Sequence, residues 1–239
     1  VTPMAMCGTD AWIPAQFVQQ IAGGMAGDKL FQDICDGSEK WNNETHVKAA
    51  EEVKKMADVG YFQDGYIGMG PEESTDLFTN GKSAMYFMGA WDADKIQKSG
   101  IGEDAGAFVL PAYDAQFNNI SVGSVDTSFA VSETCKNKDA AVAFLKFWTS
   151  QEMEEMLLYE NSRIPADNFE LDTSKLTPLM GEVLTISNEQ VGLTPWWDRQ
   201  FGAGEGVEFN NTCVSVLGGE DAKGAFDALQ RFAEDNADR

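Results

Sequence analysis

The sequence predicts an α/β protein, and the prediction rests on how its apolar residues are spaced. Short apolar runs with the character of strands alternate along the chain with longer segments in which apolar residues recur at helical spacing. With 239 residues, 43% of them hydrophobic and 23% charged, the chain has an ordinary globular composition and enough material for one large domain or two modest ones. We find no internal repeat, low-complexity tract or long linker in the sequence.

The first third of the chain contains two clear helices and two strands. The opening residues TPMAM read as a strand already under way, and residues 12–24 follow as a helix that stops at a double glycine. Residues 42–62 form an amphipathic helix that Gly60 closes. Its apolar face consists of Val47, Ala50, Val53 and Ala57. A short helix with an acidic start and a polar turn then lead into the second strand, which holds Met85.

Two further strands and a helix are predicted in the middle of the chain. Residues 105–113 read as a strand that Pro111 ends, and residues 120–132 as an extended segment that becomes a buried strand at 129–131. Asn137 is the predicted N-cap of the helix in KDAAVAFLKFWTS, which carries one apolar stripe. That stripe consists of Ala141, Phe144, Leu145 and Trp148.

Three more helices complete the chain. One follows at once through QEMEEMLLY, and a second begins at Thr177 and Pro178, which have N-cap and first-turn character. A third helix closes the chain with an apolar stripe of its own. That stripe consists of Ala222, Phe226, Leu229 and Ala233.

The charge of the chain limits its partners. Acidic residues outnumber basic residues by 39 to 17, which gives a net charge of −22. Nucleic acids and anionic membrane surfaces need basic patches, so we expect neither as a partner. No apolar stretch reaches the length of a transmembrane helix. Because the chain starts with Val1 and shows no signal peptide, we interpret it as a processed protein or a fragment.

Cysteine and histidine residues are too few and too scattered to suggest a metal centre. The cysteines at positions 7, 35, 135 and 213 show no short paired spacing; their even number permits disulfides, and free buried thiols are the alternative. The single histidine, His46, lies near the start of a helix, on a face that we predict to be polar. We therefore expect no transition-metal site and no cofactor.

Three stretches share the order and spacing of one known family. Residues 77–91, LFTNGKSAMYFMGAW, run through a glycine-lysine turn and an alanine-methionine strand to a Gly-Ala-Trp corner. Residues 122–157 begin with a glycine-containing strand, which is followed by a helix that starts at Asn-Lys and contains Ala-Ala and Phe-Leu. A second helix then starts at Thr-Ser-x-Glu. The third stretch, residues 41–62, is a helix followed by a Gly-Tyr-Phe turn. Together they resemble the family 1 extracellular solute-binding proteins, the maltose-binding-protein-like carbohydrate-binding subunits of ABC importers.

This resemblance implies a type II periplasmic-binding-protein-like fold, in which two α/β lobes joined by a hinge close around a sugar. Residues 1–120 and 167–239 would form the C-terminal lobe. Residues 121–166 would cross to the N-terminal lobe, most of whose sheet is missing from this sequence. Either the chain is a fragment, or this crossing segment packs in another way.

The resemblance also implies the function. The protein would capture a mono- or oligosaccharide and deliver it to the membrane permease of an ABC importer. We expect a monomer that is lipid-anchored at the extracellular face of a bacterial membrane or free in the periplasm.

Sugar binding requires flat aromatic side chains against C–H faces and carboxylates or amides against hydroxyls. Trp91 is the first candidate because it ends a strand, where ligands collect in open α/β sheets, and the resemblance implies that it stacks on a sugar. Burial under the following helix is the alternative. Asp10 and Trp12 follow the first strand in the same way, and the alternative there is a simple helix start capped by Thr9 or Asp10.

The adjacent residues Trp196 and Trp197 form the other aromatic candidate. Two neighbouring tryptophans cannot both point into one core layer, so we expect one to line the binding cleft and the other to pack. The resemblance implies a sugar-stacking aromatic residue at this point. Asp198 or Arg199 could reach a sugar hydroxyl, or the two could pair with each other at the surface.

The remaining candidates lie elsewhere in the chain. Asp126, in the run GSVDTS, is predicted to reach the cleft from the side of the N-terminal lobe. Trp41 and Trp148 are predicted to be packing residues, because Trp148 belongs to a helix stripe and Trp41 directly precedes a helix.

An enzyme is the alternative function. With 39 acidic residues, carboxylate pairs at a catalytic separation arise by chance and favour no glycosidase. The sequence has no Gly-x-Ser-x-Gly elbow, no phosphate-binding glycine loop and no histidine for a triad besides His46. We therefore predict a protein without catalytic activity. A carbohydrate-active enzyme or a carbohydrate-binding module that uses carboxylates is the second hypothesis.

Overall fold

The computed structural model describes residues 1–124, 127–201 and 204–236. Short parallel strands alternate with helices along the chain. The elements, in chain order, are β1 (Thr2–Ala5), α1 (Trp12–Ala26), α2 (Lys29–Cys35), α3 (Glu44–Asp58), α4 (Pro71–Thr79), β2 (Ser83–Tyr86), α5 (Ala93–Gln97), β3 (Ile120–Val122), α6 (Lys138–Trp148), α7 (Gln151–Asn161), α8 (Pro178–Glu189), β4 (Gly192–Thr194), α9 (Trp197–Gln200), α10 (Glu205–Leu217) and α11 (Ala222–Asn236).

The chain divides into two units. The first unit consists of Val1–Met88, Val109–Ser124 and Glu189–Arg239, and the second unit consists of Gly89–Phe108 and Val125–Asn188. The chain therefore passes between the units after residues 88, 108, 124 and 188. Two described parallel pairs, β1 with β2 and β3 with β4, belong to the first unit.

The first unit has a large hydrophobic core that helices α1, α3, α10 and α11 share. Phe17 of α1, Phe209 of α10 and Phe226 of α11 are all fully buried in it. Helix α1 buries residues around most of its circumference, because α3, α10 and β3 cover it from different sides. At roughly 25 cal/mol for each Å² of apolar surface removed from water, such burial is the main force that holds the unit together.

Two buried glutamines attach the second strand pair to α1. The Gln20 amide donates from Nε2 to the carbonyl oxygen of Ile120 at 2.8 Å and accepts the Val122 N–H at 2.8 Å. Gln19 Nε2 donates to the carbonyl oxygen of Pro195 at 2.7 Å. Because a buried amide is tolerated only when it is hydrogen-bonded, these contacts fix β3 and the residues after β4 against α1.

Several sequence predictions are confirmed in the first unit. Helix α3 begins at its N-cap Asn43, whose side-chain oxygen accepts the His46 backbone N–H at 2.9 Å, and Gly60 follows its end with a φ of +82° that suits glycine. The predicted stripe of α11 is buried at all four positions. All four cysteines are free, which resolves the choice between disulfides and free thiols.

His46 corrects one prediction. It lies on the buried face of α3 with no exposed surface, not on a polar face. Its ring stacks between the aromatic side chains of neighbouring elements, at 5.9 Å from Trp41 and 5.8 Å from Phe226 between ring centroids. Charged residues flank His46 in the sequence, but its ring packs in the core against aromatic residues that are distant along the chain. The sequence pattern alone does not reveal these contacts.

The second unit differs from the predictions in its strands and in one helix cap. Residues 105–108 and 129–131 form no strand in this unit. Residues 109–113, the rest of the first predicted strand, belong to the first unit and form no strand either. A strand exists only when a second backbone pairs with it, and no described segment does so here. Asn137 lies at the N-cap position of α6 as predicted, but its side chain makes no capping hydrogen bond.

The hydrophobic cluster described in the second unit is small. Its buried members are Ala93, Leu158, Leu179, Met180 and Leu184. Helix α8 starts as predicted, since the Thr177 hydroxyl accepts the Met180 backbone N–H at 3.3 Å. Helix α6 forms as predicted but buries none of its residues, so its apolar stripe stays largely at the surface.

Candidate functional site

The loop after β1 brings two of the predicted residues together. Trp12 opens α1, and its indole Nε1 donates to a carboxylate oxygen of Asp10 at 3.3 Å. Both side chains are partly exposed. The N-cap position of α1 is Ala11 and no side chain caps the helix, so the alternative in which Thr9 or Asp10 acts as the cap is wrong. This loop therefore presents a carboxylate and an indole side by side at the surface of the first unit.

A second loop of the first unit holds this one in place. The carbonyl oxygen of Met69 accepts the backbone N–H groups of Gly8 and Thr9 at 3.2 and 3.3 Å and the Thr9 hydroxyl at 3.2 Å. At Gly8 a side chain would lie only 2.4 Å from the backbone of Ile67, so only glycine fits. The position of Asp10 is thus set by close contact between two loops.

Gln63 is a residue of this site that the sequence did not single out. Its side-chain amide makes two hydrogen bonds with the backbone of Met6: it accepts from the Met6 N–H at 3.0 Å and donates to the Met6 carbonyl oxygen. Met6 lies directly after β1, so Gln63 continues the strand's hydrogen bonding as a neighbouring strand would. A lone glutamine in YFQDG carries no signal for this role, because its partner is 57 residues away in sequence.

Trp91 lies in the second unit, in a single 3₁₀ turn at Ala90–Asp92. Its indole folds back over Gly89, where an added Cβ would lie 2.2 Å from the ring. The Gly-Ala-Trp corner therefore needs its glycine for a steric reason: the glycine makes room for the six-membered part of the indole. The side chain is partly exposed, so the predicted alternative of full burial under the next helix does not describe it.

Trp197 is the packing member of the tryptophan pair. It is 2% exposed, stacks on Phe31 with ring centroids 4.5 Å apart, and contacts Trp41 edge to face at 5.0 Å. Trp41 is itself buried, as predicted, and its indole Nε1 donates to Glu205 at 2.7 Å. We therefore assign Trp197 to the core of the first unit.

Trp196 lies at the start of α9 and is 7% exposed. The guanidinium carbon of Arg199 lies 5.9 Å from the centroid of its ring, within the range of a cation–π contact. The neighbouring Asp198 accepts a hydrogen bond from Asn210 at 3.1 Å. Only a small part of the Trp196 ring is thus available to a ligand in this structure.

The other predicted positions lie apart from these. Asp126 is outside the described residues. Trp148 is half-buried in the second unit, where its ring contacts Phe129 and Phe144 at 6.1 Å between centroids. Among the described residues, histidine, cysteine and acidic side chains form no group of three that could hold a metal ion. None of the helices in the described ranges has both the length and the hydropathy that crossing a membrane requires.

The comparison with protein families decides the affiliation of the chain. The model of the family "Bacterial extracellular solute-binding protein" matches residues 2–155. The chain belongs to this family. A curated relative, the galactooligosaccharide-binding protein of Bacillus subtilis (strain 168), is 31% identical over 156 residues, which cover 63% of this chain and 36% of the relative.

Solved structures show that this family member also has the predicted fold. A chitin oligosaccharide binding protein superposes with a TM-score of 0.90 at 20% identity, over 98% of this chain and 60% of that one. A structure from work on xylan utilization by Caldanaerobius polysaccharolyticus gives a TM-score of 0.88 at 24% identity, over 97% and 61% of the two chains. The periplasmic-binding-protein-like fold is therefore confirmed, and this solute-binding protein spans about 60% of the length of these two neighbours.

Proposed function

We propose that this chain contributes to the carbohydrate-binding site of an ABC importer, as part of its solute-binding component. The observation that carries the proposal is the indole of Trp91, partly exposed at a corner where a glycine is sterically required. An aromatic ring held in one orientation offers a flat face to the C–H groups of a pyranose, at little cost in side-chain entropy.

In the first unit, the Asp10–Trp12 pair is a separate candidate for contact with a sugar. Its carboxylate has acceptor capacity left beside the Trp12 hydrogen bond, since a carboxylate accepts about four hydrogen bonds. Sugar hydroxyls donate hydrogen bonds to such oxygens, so the net charge of −22 does not oppose a neutral ligand. Trp196 is a peripheral candidate and Trp197 is not a candidate for direct contact.

The names of the relatives support a carbohydrate as the ligand. One is a galactooligosaccharide-binding protein and another a chitin oligosaccharide binding protein. A family of binding proteins gives no support to the enzyme alternative. We extend the proposal to a two-lobed protein that closes around its ligand by hinge motion, and whose closed form is recognised by the permease. This protein would act as a monomer outside the cytoplasmic membrane, with or without a lipid anchor.

Tryptophan replacement tests the proposal. Trp91→Ala should weaken the affinity for oligosaccharides by about 5- to 150-fold, which corresponds to about 1–3 kcal/mol, because a stacking face is lost. Trp148→Ala, which removes a partly exposed indole of the same unit, is the matched control and should leave affinity unchanged. Galactooligosaccharides and chitin oligosaccharides are the probes, titrated at millimolar concentration against the indole N–H signals of ¹⁵N-tryptophan-labelled protein.

Thermal melting of the same variants separates binding from folding. We expect Trp91→Ala to retain most of its stability, because the ring is only partly buried. A large loss of melting temperature with unchanged sugar affinity would show that Trp91 is a packing residue and would overturn the proposed role.

A further inference from the structure

A small, partly enclosed cavity lies in the first unit. Helices α1, α2 and α3 and the segment from β4 to α9 line it, with Gln19, His46, Thr194 and Trp197 among its lining residues. About 10 Å³ of it is open to the centre of a water molecule. This volume suits a single water and is far too small for a sugar or polyol.

Three residues that line this cavity each have a buried polar atom without a hydrogen-bond partner among the described residues. These atoms are Nε2 of His46, Oγ1 of Thr194 and Nε1 of Trp197. Buried polar groups are nearly always hydrogen-bonded, because each unpaired one has lost its hydration without compensation. Because the three residues with such atoms line one cavity, we treat them as a single feature, and they point to a shared partner.

The hydrogen-bonding roles of the three atoms are complementary. Nδ1 of His46 lies 3.0 Å from the carbonyl oxygen of Trp41, which can only accept, and 3.2 Å from the side-chain nitrogen of Asn43, which can only donate and also bonds to the Lys40 carbonyl oxygen at 2.6 Å. We assign the proton to Nδ1 because its contact with Trp41 is the shorter of the two, and Nε2 is then left as an acceptor. The Trp197 indole N–H can only donate, and the Thr194 hydroxyl can do either. A partner must therefore donate to one atom, accept from another and bond with the third.

We propose that the cavity binds one structural water molecule, which accepts from Trp197 Nε1–H, donates to His46 Nε2 and bonds to Thr194 Oγ1. Three hydrogen bonds are the usual number for a buried water in a globular protein. The water would connect residues that lie about 150 positions apart in sequence, from 46 to 194 and 197. It would thereby fix the backbone of the segment that carries Trp196.

The charge of the surroundings favours water over an ion. The lining residues other than His46 are Gln19, Ala22, Gly23, Gly27, Leu30, Phe31, Thr194 and Trp197, none of which carries a formal charge. Burial lowers the pKa of His46 to about 4, so the ring is neutral near pH 7. A cation would face the indole N–H, and an anion would face the lone pair of the imidazole.

Water-selective NMR on the ¹⁵N-tryptophan- and ¹⁵N-histidine-labelled protein tests the proposal without any mutation. We expect the Trp197 indole proton to show a cross-peak at the water frequency whose sign reverses between the laboratory and rotating frames, as a long-lived bound water gives. We also expect ¹⁵N shifts that place the His46 proton on Nδ1. Absence of that cross-peak, or a proton on Nε2, would overturn the proposal.

Variants at the cavity sharpen the same experiment. Thr194→Ser keeps the hydroxyl and should keep the cross-peak. The double variant Thr194→Val with His46→Phe replaces both polar side chains with apolar ones and removes two of the three partners, and the cross-peak should disappear. An undiminished cross-peak in the folded double variant would also overturn the proposal, and because no sugar is involved, either result leaves the proposed function untouched.

Discussion

Helices α11 and α6 carry similar apolar stripes but lie in very different surroundings. In the first unit, Phe226 of α11 is completely buried against α3 and α10, and its ring contacts those of His46 and Phe209. In the second unit, Phe144 of α6 is 54% exposed, although it occupies the same kind of position in its stripe. The apolar stripes predict both helices correctly, yet only the stripe of α11 is buried.

This difference shows what an amphipathic pattern does and does not specify. The pattern states that a helix has a face suited to burial, and a neighbouring element must then supply the surface that covers it. Helix α11 has such neighbours in α3 and α10. In the described part of the second unit, the buried cluster forms around Leu158, Met180 and Leu184 and does not include α6.

The largest expected effect contrasts the two phenylalanines. Phe226→Ala should lower the free energy of unfolding by about 3–5 kcal/mol, since it removes a fully buried ring and leaves a cavity. The matched change Phe144→Ala should alter it by no more than about 0.5 kcal/mol, because the ring is already more than half in water. Urea denaturation of both variants measures the difference, and similar losses would break the contrast between the units.

Acid should act on the first unit through His46, the only histidine of the chain. Burial lowers its pKa from the ordinary 6.5 to about 4 in the folded state, so between these values the unfolded chain binds more protons. Stability should therefore fall as the pH drops from 6.5 to 4, by at most about 3 kcal/mol in total.

A variant without the histidine isolates this contribution from the many carboxylates. Urea denaturation at pH 7, 6 and 5 gives the unfolding free energy of wild type and of His46→Phe. Wild type should lose stability relative to the variant as the pH falls, by up to about 1.4 kcal/mol for each pH unit in this range. A difference that stays constant with pH would mean that His46 is protonated to the same extent in the folded and unfolded states.

The smallest expected effect compares two asparagines at helix starts. Asn43→Ala should destabilise the protein by about 1 kcal/mol, because its side chain caps α3 through the His46 N–H. Asn137→Ala should cost only a few tenths of that amount, since Asn137 makes no side-chain capping bond to α6. Thermal unfolding of the two variants checks the order, and an equal or larger loss for Asn137→Ala would contradict it.

Most of the helices could be predicted because their signals are local. The stripe of α11, the Asn43 cap and Gly60 of α3, and the Thr177 start of α8 each depend on residues a few positions apart. The strand predictions at 105–113 and 129–131 failed for the opposite reason: a strand depends on a partner elsewhere in the chain, and apolar residues in a row do not reveal one.

The candidate site shows the same division between local and distant information. Trp91, Asp10 and Trp12 were singled out as candidates from the sequence, and the contacts that orient Trp91 and the Asp10–Trp12 pair are between neighbours along the chain. Gln63, which holds the end of β1, and the burial of Trp197 beneath Phe31 could not be found, because their partners are distant in sequence.

The sequence by itself determined that most of the helices form, and it indicated the family and placed Trp91 at a corner after a strand, since each of these follows from short-range spacing. Only the tertiary structure decided which stripe is buried, which member of the tryptophan pair packs, and that the single histidine lies in the core. Burial is a property of two surfaces that meet, and a sequence pattern describes only one of them.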